Sequence, residues 1–449
     1  VLLLRGPLFE PSFGVVDDGY RMELVRRVVD AEGWDASWEA FRGNLRARFW
    51  PVFMIWHLGL YAAFGPSPLP YFLAQAALLA MSLWLVFRLG SVLSPARPLA
   101  SGLWAALLFL TSGPVAENYV TLGKQNPLLT LLLLGLVSCL VRASAAEGRG
   151  DSGARPLACA VLLGCLAVGT KETAVAMAPA LLVGAWLCRR SGSVPWRPAA
   201  VLGAAVGAAS GLSRLLVPVS AGINSYTKQY AQDLAGLGER LPGHMASYGL
   251  LLAPTMLAAP LVLWLFLRRP ADSRDPRMLL VAVSAAALAA VFLPWRFVFL
   301  RYMLPACALW AVFAGPVLAA RAGGRLRTAA VALALAGALH GAASHMVESD
   351  ARGDYDAVSA ELLDFLDSVV ERGERVYIVG TTRQEEPEQL SHLARLVHGR
   401  PDLVLRPMME ESALPILPVS ALPGAAEEDL DGAFLRRGGW VVVPLPGNL

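Results

Sequence analysis

Charge is scarce in this sequence. Only 16% of its 449 residues are Asp, Glu, Lys or Arg, against about a quarter in a soluble chain, which excludes an ordinary water-soluble globule. Lysine is scarcer still: Lys124, Lys171 and Lys228 are the only three. Arginine therefore supplies the remaining positive charge, and with the high Ala, Gly and Pro content this reflects a GC-rich genome rather than a mechanism. Cysteine offers no framework either. Cys139, Cys159, Cys165, Cys188 and Cys307 all sit in apolar runs without metal-ligand spacing, and read as small core hydrophobes. The histidines, His57, His244, His340, His345, His392 and His398, contain no i,i+4 ligand pair. They read as interface or surface residues, and no metal site is expected. A nucleotide signature is missing too: the strand pattern Val376 to Gly380 ends in Gly-Thr-Thr without GxGxxG. No internal repeat is visible.

Apolar residues fill the chain instead, at 56% of the total, and the fold class that follows is a mainly α, polytopic membrane protein. The chain opens at Val1 on an apolar run to Leu4, too short for a bilayer that needs roughly 20 residues. A missing upstream segment or an alternative start is the expectation, and no basic n-region or cleavage site marks a signal peptide. Gly19 to Ala31 is amphipathic. Trp34, Trp38, Phe41, Phe49 and Trp50 then alternate with Arg42, Arg46 and Arg48, a mixture suited to the headgroup level. Pro51 to Phe64 is apolar but short and reads as a re-entrant or interface-lying helix within a first outer loop spanning 17–68. Clearer spans are expected over Leu69–Leu93, Leu99–Pro114, Asn126–Val141, Pro156–Gly169, Thr173–Leu187, Ala199–Val219, Tyr248–Leu267, Met278–Pro294, Tyr302–Ala320 and Thr328–Met346, giving about ten to eleven transmembrane helices.

Arginines test this order. Arg88 and Arg97, then Arg142, Arg149 and Arg155, then Arg189, Arg190 and Arg197, then Arg268 to Arg277, then Arg321 to Arg327 fall in alternate connections, which become the cytoplasmic ones. Glu117, Lys124, Lys171, Glu172, the loop from Ala221 to Ser247, and Arg296 to Arg301 fall in the others. Both chain ends are then outside. Two domains follow: a transmembrane unit over 1–347 and a small soluble α/β unit over 348–449 on the outer side. In the second, Asp354 to Val370 reads as an amphipathic helix, and Arg375 to Gly380, Leu403 to Leu405 and Trp440 to Val443 as strands.

Charge at a membrane is costly, about 2.5–3.5 kcal/mol at the bilayer centre on insertion scales, so the few charges expected on the outer face are candidates for a site. They are Asp17-Asp18, Glu117 with Asn118, Lys171-Glu172-Thr173, and Arg296 with Arg301. Glycosyl transfer from a lipid-phosphate sugar would use such a set. A carboxylate can take the proton of an attacking hydroxyl, and Lys or Arg can stabilise a leaving phosphate. Blander readings stand beside each. Asp17 or Asp18 can cap a helix, Glu117 can cap a helix end, Lys171 and Glu172 can neutralise each other in a turn, and Arg301 can snorkel to the headgroups. A transporter or flippase of lipid-linked intermediates could use the same residue types, and a non-catalytic envelope assembly subunit is a third reading.

Several stretches, in order, carry a resemblance. They are Asp17-Asp18, Arg48-Phe-Trp-Pro51, Phe64-Gly65, Pro68-Leu-Pro-Tyr71, Phe87-Arg88-Leu-Gly90, Ser112-Gly-Pro-Val-Ala-Glu117, Gly169-Thr-Lys-Glu-Thr-Ala174 and Arg301-Tyr-Met-Leu-Pro305. From Val15 to about Ala320 the chain resembles the GT-C-fold membrane glycosyltransferases, which include protein O-mannosyltransferases, aminoarabinose transferases and TPR-bearing mannosyltransferases. The resemblance implies a polyprenyl- or dolichyl-phosphate sugar as donor, a protein, lipid or glycan acceptor, and inverting transfer on the extracytoplasmic side. It implies Asp17 or Asp18 as catalytic base, Lys171 and Arg301 near the donor phosphate, and Glu117, Glu172, Arg48 and Tyr302 in support. No cofactor beyond the lipid-linked sugar is implied, though a divalent metal stays open, and neither is a nucleic-acid partner. The setting would be a bacterial inner membrane. Gln75 and Phe72 depart from the Asn and His that relatives often carry, and no TPR array follows.

Overall fold

The computed structural model describes residues 8, 13, 18–47, 49–191, 195–216, 258–268, 275–293, 300–320, 324–370, 372, 376–378, 385–400, 402–407, 432–436 and 440–444. Asp17, Arg48, Arg296, the expected outer loop over 221–247 and the first part of the span expected over Tyr248–Leu267 lie outside them.

Two helices of the expected first outer loop come first, α1 (Asp18–Val29) and α2 (Trp34–Ala47). Then follow α3 (Pro51–Phe64), α4 (Pro68–Val92), α5 (Pro98–Leu110), α6 (Pro114–Tyr119), α7 (Asn126–Gly148) and α8 (Ala154–Thr170). A 3-10 turn over Glu172–Ala176 leads into α9 (Met177–Ser191), and α10 covers Arg197–Leu216. The rest of the bundle is α11 (Ala259–Leu267), α12 (Pro276–Ala290), a 3-10 turn Leu300–Met303, α13 (Leu304–Ala319) and α14 (Arg325–Val369). Proline stands in the first two positions of α3 to α7 and of α11 to α13. There its missing N–H is one the helix would not have used, and its fixed φ starts the turn.

Five stretches are long and apolar enough to cross a bilayer: Pro68–Val92, Asn126–Gly148, Glu172–Arg190, Arg301–Ala319 and Arg325–Val347. α3, α5, α8 and α12 are apolar but shorter. Each expected span overlaps a helix, and the chain is an integral membrane protein. One boundary is corrected. The span expected to end at Met346 and the amphipathic helix expected from Asp354 are a single 45-residue helix, α14, because nothing between them breaks it: the one glycine there, Gly353, lacks a neighbouring proline.

The bundle is centred on α13, whose crossing stretch is 89% buried. In lipid, apolar contact alone gives little preference between helices, so close approach depends on small residues. Gly90 of α4, Gly102 and Ala105 of α5, and Gly315 of α13 meet at one crossing. A methyl group on Gly315 would stand 2.5 Å from the Ser101 carbonyl oxygen. At the C-terminal end of α13, Arg97 donates to the Ala319 carbonyl at 3.0 Å and Arg327 to that of Leu318 at 3.2 Å, filling acceptors that a helix end leaves open. Other arginines of the connections expected to be cytoplasmic lie over tryptophan rings: Arg88 over Trp84, Arg190 over Trp186, Arg189 over Trp196 and Arg268 over Trp264.

Beyond α14 lie β1 (Val376–Ile378), α15 (Glu385–Val397), β2 (Leu405–Pro407), β3 (Gly432–Arg436) and β4 (Trp440–Pro444), in sheet order β2-β1-β4-β3. β1 is parallel to β2 and β4, while β3 and β4 are antiparallel. β1-α15-β2 is thus a parallel crossover, and β3 falls where no strand was expected.

Candidate functional site

The site is built where α6 ends and α7 begins. Residues 120–125 are not helical there, so their backbone groups need other partners. Gln75 of α4 donates to the Thr121 carbonyl at 3.0 Å. A ring nitrogen of His57 on α3 lies 3.2 Å from the Leu122 carbonyl, and the other lies 3.1 Å from that of Phe53. The Thr121 hydroxyl donates back to the Glu117 carbonyl. Three of the histidines expected at an interface or the surface are buried: His57, His345 and His392. The reason is the same for the first two, since His345 of α14 lies 2.9 Å from the Ser112 carbonyl. Helix ends inside a bundle leave acceptors that an imidazole can reach.

That scaffold presents five charged or polar side chains to one point. The Glu117 carboxylate accepts from the Arg301 backbone N–H and from its guanidinium, both at 3.1 Å. Asn118, fully buried, donates to the carbonyls of Pro114 at 2.8 Å and Arg301 at 2.9 Å. Asn126 donates to the Asn118 side-chain oxygen at 3.0 Å and to the Arg301 carbonyl at 2.8 Å. Arg301 is therefore held by its N–H, its carbonyl and its head group at once, although it lies more than 170 positions from its partners. Lys171, only 2% exposed, donates from Nζ to Asn126 Oδ1 at 2.7 Å. An ammonium has no acceptor, so this contact fixes which way the Asn126 amide points and, through it, that of Asn118.

Tyr302 is the floor of the cluster. Lys171 Nζ stands 4.0 Å from its ring centroid and the Arg301 guanidinium carbon 5.4 Å, while Phe292 stacks on it at 5.3 Å. Two cations attracted to one ring is a cation–π arrangement that gains strength away from water. Lys171 reaches the point because α8 stops there: its backbone is extended, with φ −158° and ψ 132°, between α8 and the 3-10 turn.

Of the residues expected at a site, Glu117, Lys171, Arg301 and Tyr302 are brought together, and Glu172 adjoins them as the first residue of the 3-10 turn. Asp18 contributes its backbone position as the first residue of α1. That helix packs on α3, and Arg21 lies 3.9 Å above the Trp50 ring at the head of α3. Beside the blander readings of Glu117 and Arg301 stands one ion pair, in which the Arg301 head group is bound by the Glu117 carboxylate. Asn126 was missed. Its signal was an Asn-Pro pair opening a long apolar run, where an amide has no apolar reason to be.

The chain is thus a mainly helical membrane protein with a buried lysine, two buried amides and a partly exposed Glu117–Arg301 pair clustered at one end of its central helix. No family model matches the sequence, and no curated protein matches it. The likeness is in the backbone. ArnT from Cupriavidus metallidurans, in its structure bound to undecaprenyl phosphate, is similar with a TM-score of 0.54 at 15% identity, over 91% of this chain and 88% of that one. The apo state of the same protein gives 0.56 at 13%, with the same shares. The chain has the GT-C fold.

Proposed function

We propose that the chain is a membrane glycosyltransferase that moves a sugar from a polyprenyl-phosphate donor to an acceptor hydroxyl on the extracytoplasmic face, with inversion. The observation that carries this is the convergence of Lys171 and Arg301 on Tyr302, locked by Glu117, Asn118 and Asn126, in a fold shared with a protein that binds undecaprenyl phosphate. In the reaction, Asp17 or Asp18 takes the proton of the acceptor hydroxyl as its oxygen bonds to the anomeric carbon. The bond from that carbon to the phosphate oxygen breaks, and the lipid phosphate leaves with the electron pair. Its growing charge is met by Lys171, which is buried, and Arg301, both already in place, so little reorganisation is needed as the bond breaks. Glu117 and Tyr302 hold those cations, and Glu172 and Arg48 support the same outer face.

The test is transfer of radiolabelled sugar from supplied polyprenyl-phosphate donors in membranes containing the chain, with Asp17→Asn and Asp18→Asn alongside. A glycosylated product that disappears with one of the two variants is expected. Lipid-bound sugar crossing the membrane with no product would sink the enzyme reading, and full activity in both variants would sink the base assignment.

A further inference from the structure

A buried carboxylate outside this cluster has a role that the reaction does not assign. Glu23 lies on α1, is 7% exposed, and is surrounded by donors from two elements distant in sequence. From α1 itself, Arg27 donates through Nε at 3.1 Å and Nη2 at 2.5 Å. From α15, Arg395 donates at 3.0 Å and His392 meets the other carboxylate oxygen through Nδ1. Arg26 adds a contact from α1 to the Arg395 backbone carbonyl at 3.0 Å. Around these, Met22 and Val25 of α1 are buried in one apolar cluster with Leu390, Leu393 and Ala394 of α15 and with Phe53 and Met54 of α3. α15 is in turn fastened to the sheet, since the Leu405 N–H donates to the Ser391 hydroxyl at 2.8 Å.

A 12-residue helix is marginal on its own in water, so α1 depends on what packs against it. Asp18 is its first residue and lies five positions before Glu23. That is about 7.5 Å along the axis and roughly 140° around it. The Asp18 position is therefore on another side of the helix from Glu23, on the stripe that also carries the buried Met22 and Val25, and one short rod fixes both. A carboxylate buried among apolar side chains is tolerated only when it is fully paired. Arg27 pairs with Glu23 within α1, but the Arg395 and His392 partners are present only while α1 and α15 are docked.

We propose that Glu23 is a positioning residue through which the C-terminal α/β segment sets the helix that begins at Asp18, so that this segment is a working part of the transferase site. The inference rests on the reading given under Proposed function. Glu23 touches no reacting atom. It acts by keeping α1 helical and aimed, and small displacements of reacting groups cost on the order of a hundredfold in rate.

Glu23→Gln in the full chain tests this, because it keeps the shape and removes the charge. Two readings are taken: steady-state transfer, resolved into turnover and donor KM, and amide hydrogen exchange along α1, α15 and α7. Turnover is expected to fall roughly tenfold or more with donor KM within about twofold. Exchange should rise together in α1 and α15 and stay unchanged in α7. Arg395→Gln should reproduce the pattern, and Arg149→Gln, which breaks only the exposed pair with Asp151, should change neither reading. Wild-type turnover in Glu23→Gln despite loosened α1 would overturn the proposal, as would a rise in exchange confined to one of the two helices. A parallel loss of turnover, donor KM and α7 protection would also overturn it, by showing a merely structural role. If the wild-type chain transfers no sugar, the functional reading fails on its own, and joint or separate loosening of α1 and α15 still decides whether Glu23 couples them.

Discussion

Lys171→Met separates a functional cation from a structural one. Two named contacts vanish with the ammonium. The hydrogen bond to Asn126 at 2.7 Å is one made by a charged donor, about 1.5–3 kcal/mol. The approach to the Tyr302 ring at 4.0 Å adds up to about 2 kcal/mol where water is excluded. Against this, a cation that is 2% exposed has given up its hydration, an effective penalty of several kcal/mol. Methionine returns that penalty and fills the space with an adaptable apolar chain. The two sides nearly cancel, and the variant should fold with a stability change within about 2 kcal/mol of zero. That corresponds to a shift of the apparent melting midpoint of less than about 8 °C. Binding of a lipid phosphate has no such compensation. Losing a cation held ready for it should weaken binding roughly 10- to 100-fold, or about 1.4–2.7 kcal/mol. Both quantities can be read on one nanodisc preparation, by thermal unfolding and by competition with labelled polyprenyl phosphate. A collapse of the melting midpoint would show Lys171 to be a structural tie. Unchanged lipid-phosphate binding would show that the cation has another purpose. Either result refutes the reasoning.

Three further outcomes are expected. Glu117→Gln should destabilise by about 1.5–3 kcal/mol, since the Arg301 guanidinium, less than a quarter exposed, loses its charged partner, and Glu117→Gln with Arg301→Gln should cost less than the two singles summed, as a double-mutant cycle would show. Gly341→Ala should lower the melting midpoint, because a methyl group there would run into the Thr111 carbonyl oxygen where α14 passes the end of α5; overpacking of this kind costs about 1–3 kcal/mol. Acid should loosen α15 from α1. Burial and the Arg395 guanidinium push His392 from 6.5 down to about 4, so the docked form keeps it neutral beside Glu23, Arg26 and Arg27 of α1. Below pH 6.5 the undocked form gains a proton that the docked form refuses, so docking weakens as pH falls toward 4 and is constant above. Hydrogen exchange across that range should show α15 losing protection first, and a flat profile would contradict the assignment.

How far the sequence led depends on what kind of force placed each residue. Glu117, Lys171 and Arg301 were legible because a charge in an apolar chain has few reasons to be there, and the arginine count put all three on one side of the membrane. The helices were legible for the same reason, as long apolar runs opened by proline. Partners were not. Nothing near Asn126 says that its amide will sit between Lys171 and the Arg301 carbonyl, because that contact is made by tertiary packing over 45 and 175 positions. Glu23 was hidden differently. On α1 it reads as the polar face of an amphipathic helix, and only α15, some 370 positions later, turns that face inward. The expected break in α14 shows the limit from the other side: the composition changes near Met346, while the helix continues through it. Polarity along a membrane chain therefore reports the solvent a segment meets, and the residues that join distant segments are those whose polarity disagrees with their surroundings. Lys171, Asn126 and Glu23 all disagree in that sense.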